Sequence, residues 1–152
     1  MTDNQMLADH LISLAQLDID AIHAYTEAMQ HIDVFEVNEQ LAMFRADHER
    51  HVRDLFKEIV DLGGTPPEFK PDFKGHLITG MTALRSATGT EGALKAMRMN
   101  EELTNKTYEK ALQWELTGPA RQIIVRNRED ERRHLAYVIR AIDLKIWERK
   151  VA

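Results

Sequence analysis

The sequence predicts an all-α protein: an antiparallel four-helix bundle whose second and third helices are joined by a long crossover carrying a short extra helix. Three observations carry that expectation. Apolar residues recur every three to four positions over four long stretches, the period of a helix with one buried face. Gly and Pro are scarce, seven and four, and fall mostly between those stretches. The two halves of the chain also repeat one another at a fixed offset. At 152 residues the expectation is a single domain, 1–152, with one core and no need of disulfides.

The elements follow in order. Leu7, Leu11, Leu14, Ala21, Tyr25, Ala28 and Ile32 mark the inward seam of a first helix, with Thr2 to Asn4 as capping candidates. After a break at Asp33-Val34-Phe35, a second seam runs through Leu41, Phe44, Leu55, Ile59 and Leu62, and Gly63-Gly64 supplies its stop. The short loop makes these two helices antiparallel neighbours. Thr65-Pro66-Pro67 to Gly75 reads as irregular chain, and His76 to Ala87 as a short helix carrying Leu77, Ile78, Met81 and Leu84. Thr88-Gly89-Thr90-Glu91 has the spacing of a capping box for a third long helix, whose apolar side holds Leu94, Met97, Leu103, Tyr108 and Ala111 and which ends near Leu116-Thr117-Gly118. Pro119 suits the first turn of the last helix, with Ile124, Val138, Ala141 and Ile142 inward and a charged end at Glu148-Arg149-Lys150.

Asp47-His48-Glu49-Arg50-His51 recurs as Asp130-Glu131-Arg132-Arg133-His134, an offset of 83 from 47 to 130. The same offset carries Asp18 onto Glu101 and Tyr25 onto Tyr108, so the repeat spans roughly 7–62 and 90–145. Two copies are too few for a solenoid, and the halves are expected to pack face to face about a pseudo-twofold axis.

Composition narrows the function. A net charge of −5, spread along the chain, leaves no basic face for nucleic acid. No apolar run approaches the ~20 residues of a membrane span. The start lacks the pattern of a signal peptide, so a cytoplasmic location is expected. With no Cys, any metal must be held by N and O ligands.

Polar residues interrupt all four seams at similar depth: Asp18 on the first, His48 and His51 on the second, Glu101 on the third, Glu131 and His134 on the fourth. An unpaired buried carboxylate costs several kcal/mol, and converging carboxylates repel, so six such residues at one level call for cations between them. Two carboxylates from two helices, with an inward Glu-x-x-His from each of the other two, is the ferritin-like di-iron or di-manganese arrangement. Here Asp18 stands where Glu is usual, and His48-x-x-His51 replaces one Glu-x-x-His. A carboxylate bridges two ions readily, whereas His48 is expected to bind one ion through one nitrogen, making the pair asymmetric or leaving one position empty. Asp47, Asp130, Tyr25 and Tyr108 are expected to support the ligands, the aspartates by bonding His Nδ1. His10, His23 and His31 fall off the first seam and His76 opens the short helix, so all four read as surface or partly buried histidines.

In Leu17-Asp18 with Ala21 and Tyr25, Asp47 to His51, Asn100-Glu101-Glu102 with Tyr108 to Ala111, and Asp130 to His134, the chain resembles uncharacterised ferritin-like four-helix proteins grouped under a domain of unknown function. That resemblance implies a ferritin-like, di-metal carboxylate fold and metal binding, and lends no substrate; wider relatives store iron or reduce peroxides. The residues support three functional readings. The first is a centre for two divalent ions, iron foremost and manganese or zinc as alternatives, reacting with O2 or peroxide as a di-iron oxidase or peroxidase would. The second is iron or zinc binding and storage without turnover, and the third a structural bundle whose polar centre fixes helix register. Nothing in the sequence marks the interfaces of a ferritin cage, and a homodimer is the assembly expected.

Overall fold

The computed structural model describes residues 2–73 and 76–149; Gly75, Lys150 and the side chains of His76 and Leu77 lie outside the described residues. The elements are α1 (Asp3–Gln30), α2 (Phe35–Asp61), α3 (His76–Arg85), α4 (Gly89–Ala111), α5 (Ala120–Asp143) and a closing 3₁₀ turn (Ile146–Glu148). Helices α1, α2, α4 and α5 form the antiparallel bundle, α1 pairing with α2 and α4, and α5 with α4 and α2, while α3 packs on α4 and α1. None of the helices is long and apolar enough to cross a membrane, among the described residues.

Local chemistry sets the ends. Thr2 and Gln5 form a reciprocal capping box, the Gln5 amide donating to Thr2 Oγ1 at 3.2 Å and the Thr2 amide to Gln5 Oε1 at 2.8 Å. At the α1–α2 turn, Asn38 Nδ2 donates to the Ile32 carbonyl at 2.9 Å, which ties the first turn of α2 to the chain leaving α1. Gly63, at φ +86°, closes α2: its amide donates to Val60 O and that of Gly64 to Ile59 O, at 2.9 and 2.8 Å. A Cβ on Gly64 would stand 3.1 Å from Ala8 Cβ, so this glycine also lets the turn close on α1.

Two expectations for α4 change. The Thr88 side chain makes no cap bond, because Gly89 turns the chain at φ +72° as the helix begins. Thr90 is used instead: its hydroxyl accepts from the Asp33 amide at 3.1 Å and donates to Asp33 Oδ1 at 2.7 Å, tying α4 to the α1–α2 turn. The helix also stops at Ala111, before the expected end, and Leu112, Trp114 and Leu116 leave its axis to pack on the core formed by Leu7, Leu11 and Ile124. The irregular crossover is held against α1 by Asp20, whose Oδ1 accepts the Asp72 amide at 2.8 Å and Gln16 Nε2 at 3.0 Å.

The expected seam residues of α1, Leu7 to Ile32, are all buried. On α4 the phase differs by one: Thr104, not Leu103, faces inward. Two apolar clusters result. One gathers Tyr25, Ala28, Leu41, Phe44, Leu94, Met97 and Val138; the other gathers Leu11, Leu14, Leu55, Ile59, Tyr108 and Ile124. The polar residues of the seams lie in the layer between them.

Candidate metal centre

All six seam residues come together. Asp18, His48, His51, Glu101, Glu131 and His134 are each at most 1% exposed. They form two overlapping groups whose donor atoms lie within 4.8 Å of one another: Asp18, His48, His51 and Glu131 in one, His48, Glu101, Glu131 and His134 in the other. His48 and Glu131 belong to both, so the shared pair consists of repeat mates, 48 and 131 being 83 apart. His48 Nδ1 lies 2.7 Å from Asp18 Oδ1 and 3.4 Å from Glu131 Oε1, while its Nε2 faces Glu101 Oε1 at 3.8 Å. The expectation that His48 serves one position through one nitrogen is therefore modified: its ring stands between the two groups with a nitrogen toward each.

The support for these residues is exchanged between the halves. His51 Nε2 donates to Asp130 Oδ2 and His134 Nε2 to Asp47 Oδ2, both at 2.9 Å, so each α2 or α5 aspartate orients the histidine of the opposite helix. Sequence reasoning assigned these bonds to Nδ1; the rings instead turn Nδ1 inward, because the aspartates lie on the outer side of the α2/α5 seam. The tyrosines cross in the same way. Tyr108 Oη donates to Asp18 Oδ2 at 2.5 Å, and Tyr25 Oη donates to Glu101 Oε1. The pairs 25 with 101 and 18 with 108 require α1 and α4 to run antiparallel, as the pseudo-twofold demands.

Over the aspartates lies a ring of charge. Arg133 Nη2 reaches Asp47 Oδ2 at 2.5 Å and Asp130 Oδ1 at 3.2 Å; Arg50 contacts Asp130 Oδ2 and, at 3.3 Å, Asp47 Oδ1. These arginines are repeat mates as well.

Without ions, the buried carboxylates and imidazoles of the centre shift one another's ionisation. Burial by itself would raise the Asp18 carboxyl, but His51 and His48 pull it well below the usual carboxylate range. Burial likewise opposes ionisation of Glu101, and the facing His48 imidazole with the His134 charge brings it to about 2. Glu131 moves the other way: burial and the Glu101 carboxylate raise it, although His48 pulls against them. Burial disfavours all three imidazoliums, yet Glu131 and Asp18 hold His48 well above its ordinary value, and Asp18 and Asp130 raise His51. Asp47 and Glu131 do the same for His134. Each tyrosine is raised by burial and then by its carboxylate partner.

The residues fit a pair of cations. His48 Nε2, Glu131 Oε1 and His134 Nδ1 are buried with no hydrogen-bond partner, and all three belong to the overlapping groups. Buried acceptors without partners are rare in folded proteins, and a neutral imidazole that gives Nε2–H to Asp47 leaves its Nδ1 lone pair free for a metal. Three imidazoles and three carboxylates are a donor set suited to divalent transition metals.

Two participants escaped the sequence reading. Thr104 Oγ1 donates to Glu131 Oε2 at 2.9 Å, and Asn127 Nδ2 donates to Tyr108 Oη at 3.1 Å. The repeat itself pointed to the first, since Ala21 on the α1 seam maps onto Thr104. His10, His23 and His31 stay outside both groups, as expected.

Residues 6–114 match the family described as "Domain of unknown function (DUF2383)". The chain belongs to this family. The DUF2383 match ends before α5, so Glu131 and His134 lie beyond it. No curated protein sequence matches the chain. A crystal structure of ferritin-like, diiron-carboxylate proteins from Bacillus anthracis str. Ames is similar in fold, with a TM-score of 0.72 over 93% of this chain and 99% of the other, at 21% identity. The DUF2383 chain is thus a ferritin-like bundle with two adjacent potential metal positions, consistent with a dinuclear site.

Proposed function

We propose that this protein binds two divalent metal ions, iron foremost, and that the loaded centre reacts with O2 or peroxide. Asp18, His48, His51 and Glu131 would hold one ion, and His48, Glu101, Glu131 and His134 the other. The observation that carries this reading is the overlap of the two groups on His48 and Glu131, which brings two positions close enough to act together. Bound iron would supply redox chemistry; the chain's own part is to bind, orient and exclude water. The apolar clusters above and below the layer keep it dry, and the aspartates fix the rings of His51 and His134. A relative in fold is described as diiron-carboxylate, which favours iron over zinc here.

Elemental analysis of purified protein should find two ions per chain. Anaerobic Fe(II) loading followed by air should oxidise the iron, read as growth of near-ultraviolet and visible absorption. Three imidazoles favour a second reading, zinc or iron held without turnover. Tight Zn(II) uptake with inert Fe(II) would select it, and no bound metal of any kind would overturn both.

A further inference from the structure

We propose that the α2/α5 seam is the route by which metal ions reach and leave the centre, with Arg50 and Arg133 as its gate. The proposal rests on the metal-binding reading above and concerns rate, not capacity.

Three other approaches to the centre are covered. Helix α3 packs over α1 and α4, and the two apolar clusters cap the layer above and below, where a hydrated cation would face a heavy desolvation cost. Toward the α2/α5 seam the cover is only one layer of charged side chains. Exposure rises from 0% at His51 and His134 to 15–18% at Asp130 and Asp47, 24% at Arg50 and 52% at Arg133. The two rings behind this layer each put Nε2 on an aspartate and Nδ1 toward the centre, and the inward nitrogen of His134 has no partner. A chain of donors therefore leads from solvent through Asp47 and Asp130 to the centre.

As the ring stands, both guanidinium groups neutralise the aspartates and repel a cation. Arg133 is the member able to move. It is half exposed, its guanidinium lies 5.9 Å from the Phe44 ring centre, and beside it opens a surface recess of about 430 Å³ lined also by Gln40, Met43 and Asp47. When Arg133 swings away, Asp47 faces that recess as an acidic mouth, which attracts cations, while Arg50 keeps both aspartates in place.

The test uses the full metal-free chain and Co(II), followed by its visible absorption. Uptake is timed on mixing, and release on adding excess EDTA. Arg133→Ala removes two partly exposed ion pairs, so both rates should rise on the order of tenfold with two Co(II) per chain still bound. Arg128→Ala, which breaks exposed pairs to Glu109 and Glu129, should leave both rates unchanged. Unchanged rates in Arg133→Ala at full stoichiometry would overturn the gate and leave the metal reading intact. Loss of Co(II) capacity in a folded Arg133→Ala protein would also overturn it, since a gate alters rates alone. Failure of the wild-type chain to bind Co(II) would end both proposals together. If circular dichroism shows that Arg133→Ala does not fold, Arg133→Lys, which keeps the charge without the fork, should still speed release about threefold; no change there would refute the gate.

Discussion

Glu131→Gln separates fold from metal binding, because the carboxylate is shared by both groups while burial and Glu101 oppose its charge without ions. Burial and the Glu101 carboxylate already oppose its ionisation, so the metal-free variant should melt within a few degrees of wild type. The loaded protein should differ sharply. An ion present at a thousand times its Kd adds about 4.1 kcal/mol, and a 100-fold loss of affinity removes about 2.7 kcal/mol of that. Glu131 belongs to both groups, so the loss counts twice, about 5 kcal/mol, which for a domain of this size corresponds to roughly 10–20 °C of melting temperature. Glu101→Gln belongs to one group only and should forfeit about half as much. Differential scanning calorimetry with and without Fe(II) or Zn(II), at matched free metal, measures both. Equal losses in the two variants, or a full metal-induced rise in Glu131→Gln, would refute the shared-ligand geometry.

Metal-free stability should fall on the alkaline side. His48, His51 and His134 are raised in the folded state, so the stability they lend is complete below about pH 6.5 and is lost as pH rises through their folded values. Asp18 and Glu101 are lowered, and their contribution, complete above about pH 4, is lost on acidification. Melting temperatures of EDTA-treated protein between pH 4 and 9 should therefore peak on the acid side of neutrality, and a flat alkaline limb would contradict the upward shift of the three histidines. Asp47→Asn and Asp130→Asn should each weaken metal binding by about 10–100-fold through the histidine of the opposite helix. Chelator competition gives both values, and an effect from one aspartate alone would deny the exchange.

The seams were legible because each long helix buries one face, so a polar residue in apolar phase stands out; Asp18, Glu101 and Glu131 were found that way. Thr104 was not, since threonine fits either face, and Leu103 drew the seam one position aside. Helical phase says which way a residue points on its own helix and nothing of what stands opposite. For that reason the crossing of Asp47 to His134 and of Tyr25 to Glu101, and the inward turn of Nδ1, became visible only in three dimensions. Arg133 lies off the apolar seam of its helix, so sequence periodicity gives it no role. It is half exposed, but its partners make it a cover for what lies beneath.

The exchange of supports has a consequence for how the two halves can differ. A symmetric dimer of one half would build two chemically identical positions, and any substitution would change both. Joined in one chain, the halves differ at Asp18 and Glu101, His48 and Glu131, Ala21 and Thr104, and Phe44 and Asn127, pairs that surround the two positions unequally. Covalent linkage thus lets one position's surroundings be adjusted while the other's are kept, so that two neighbouring positions can be given different affinities and different tasks.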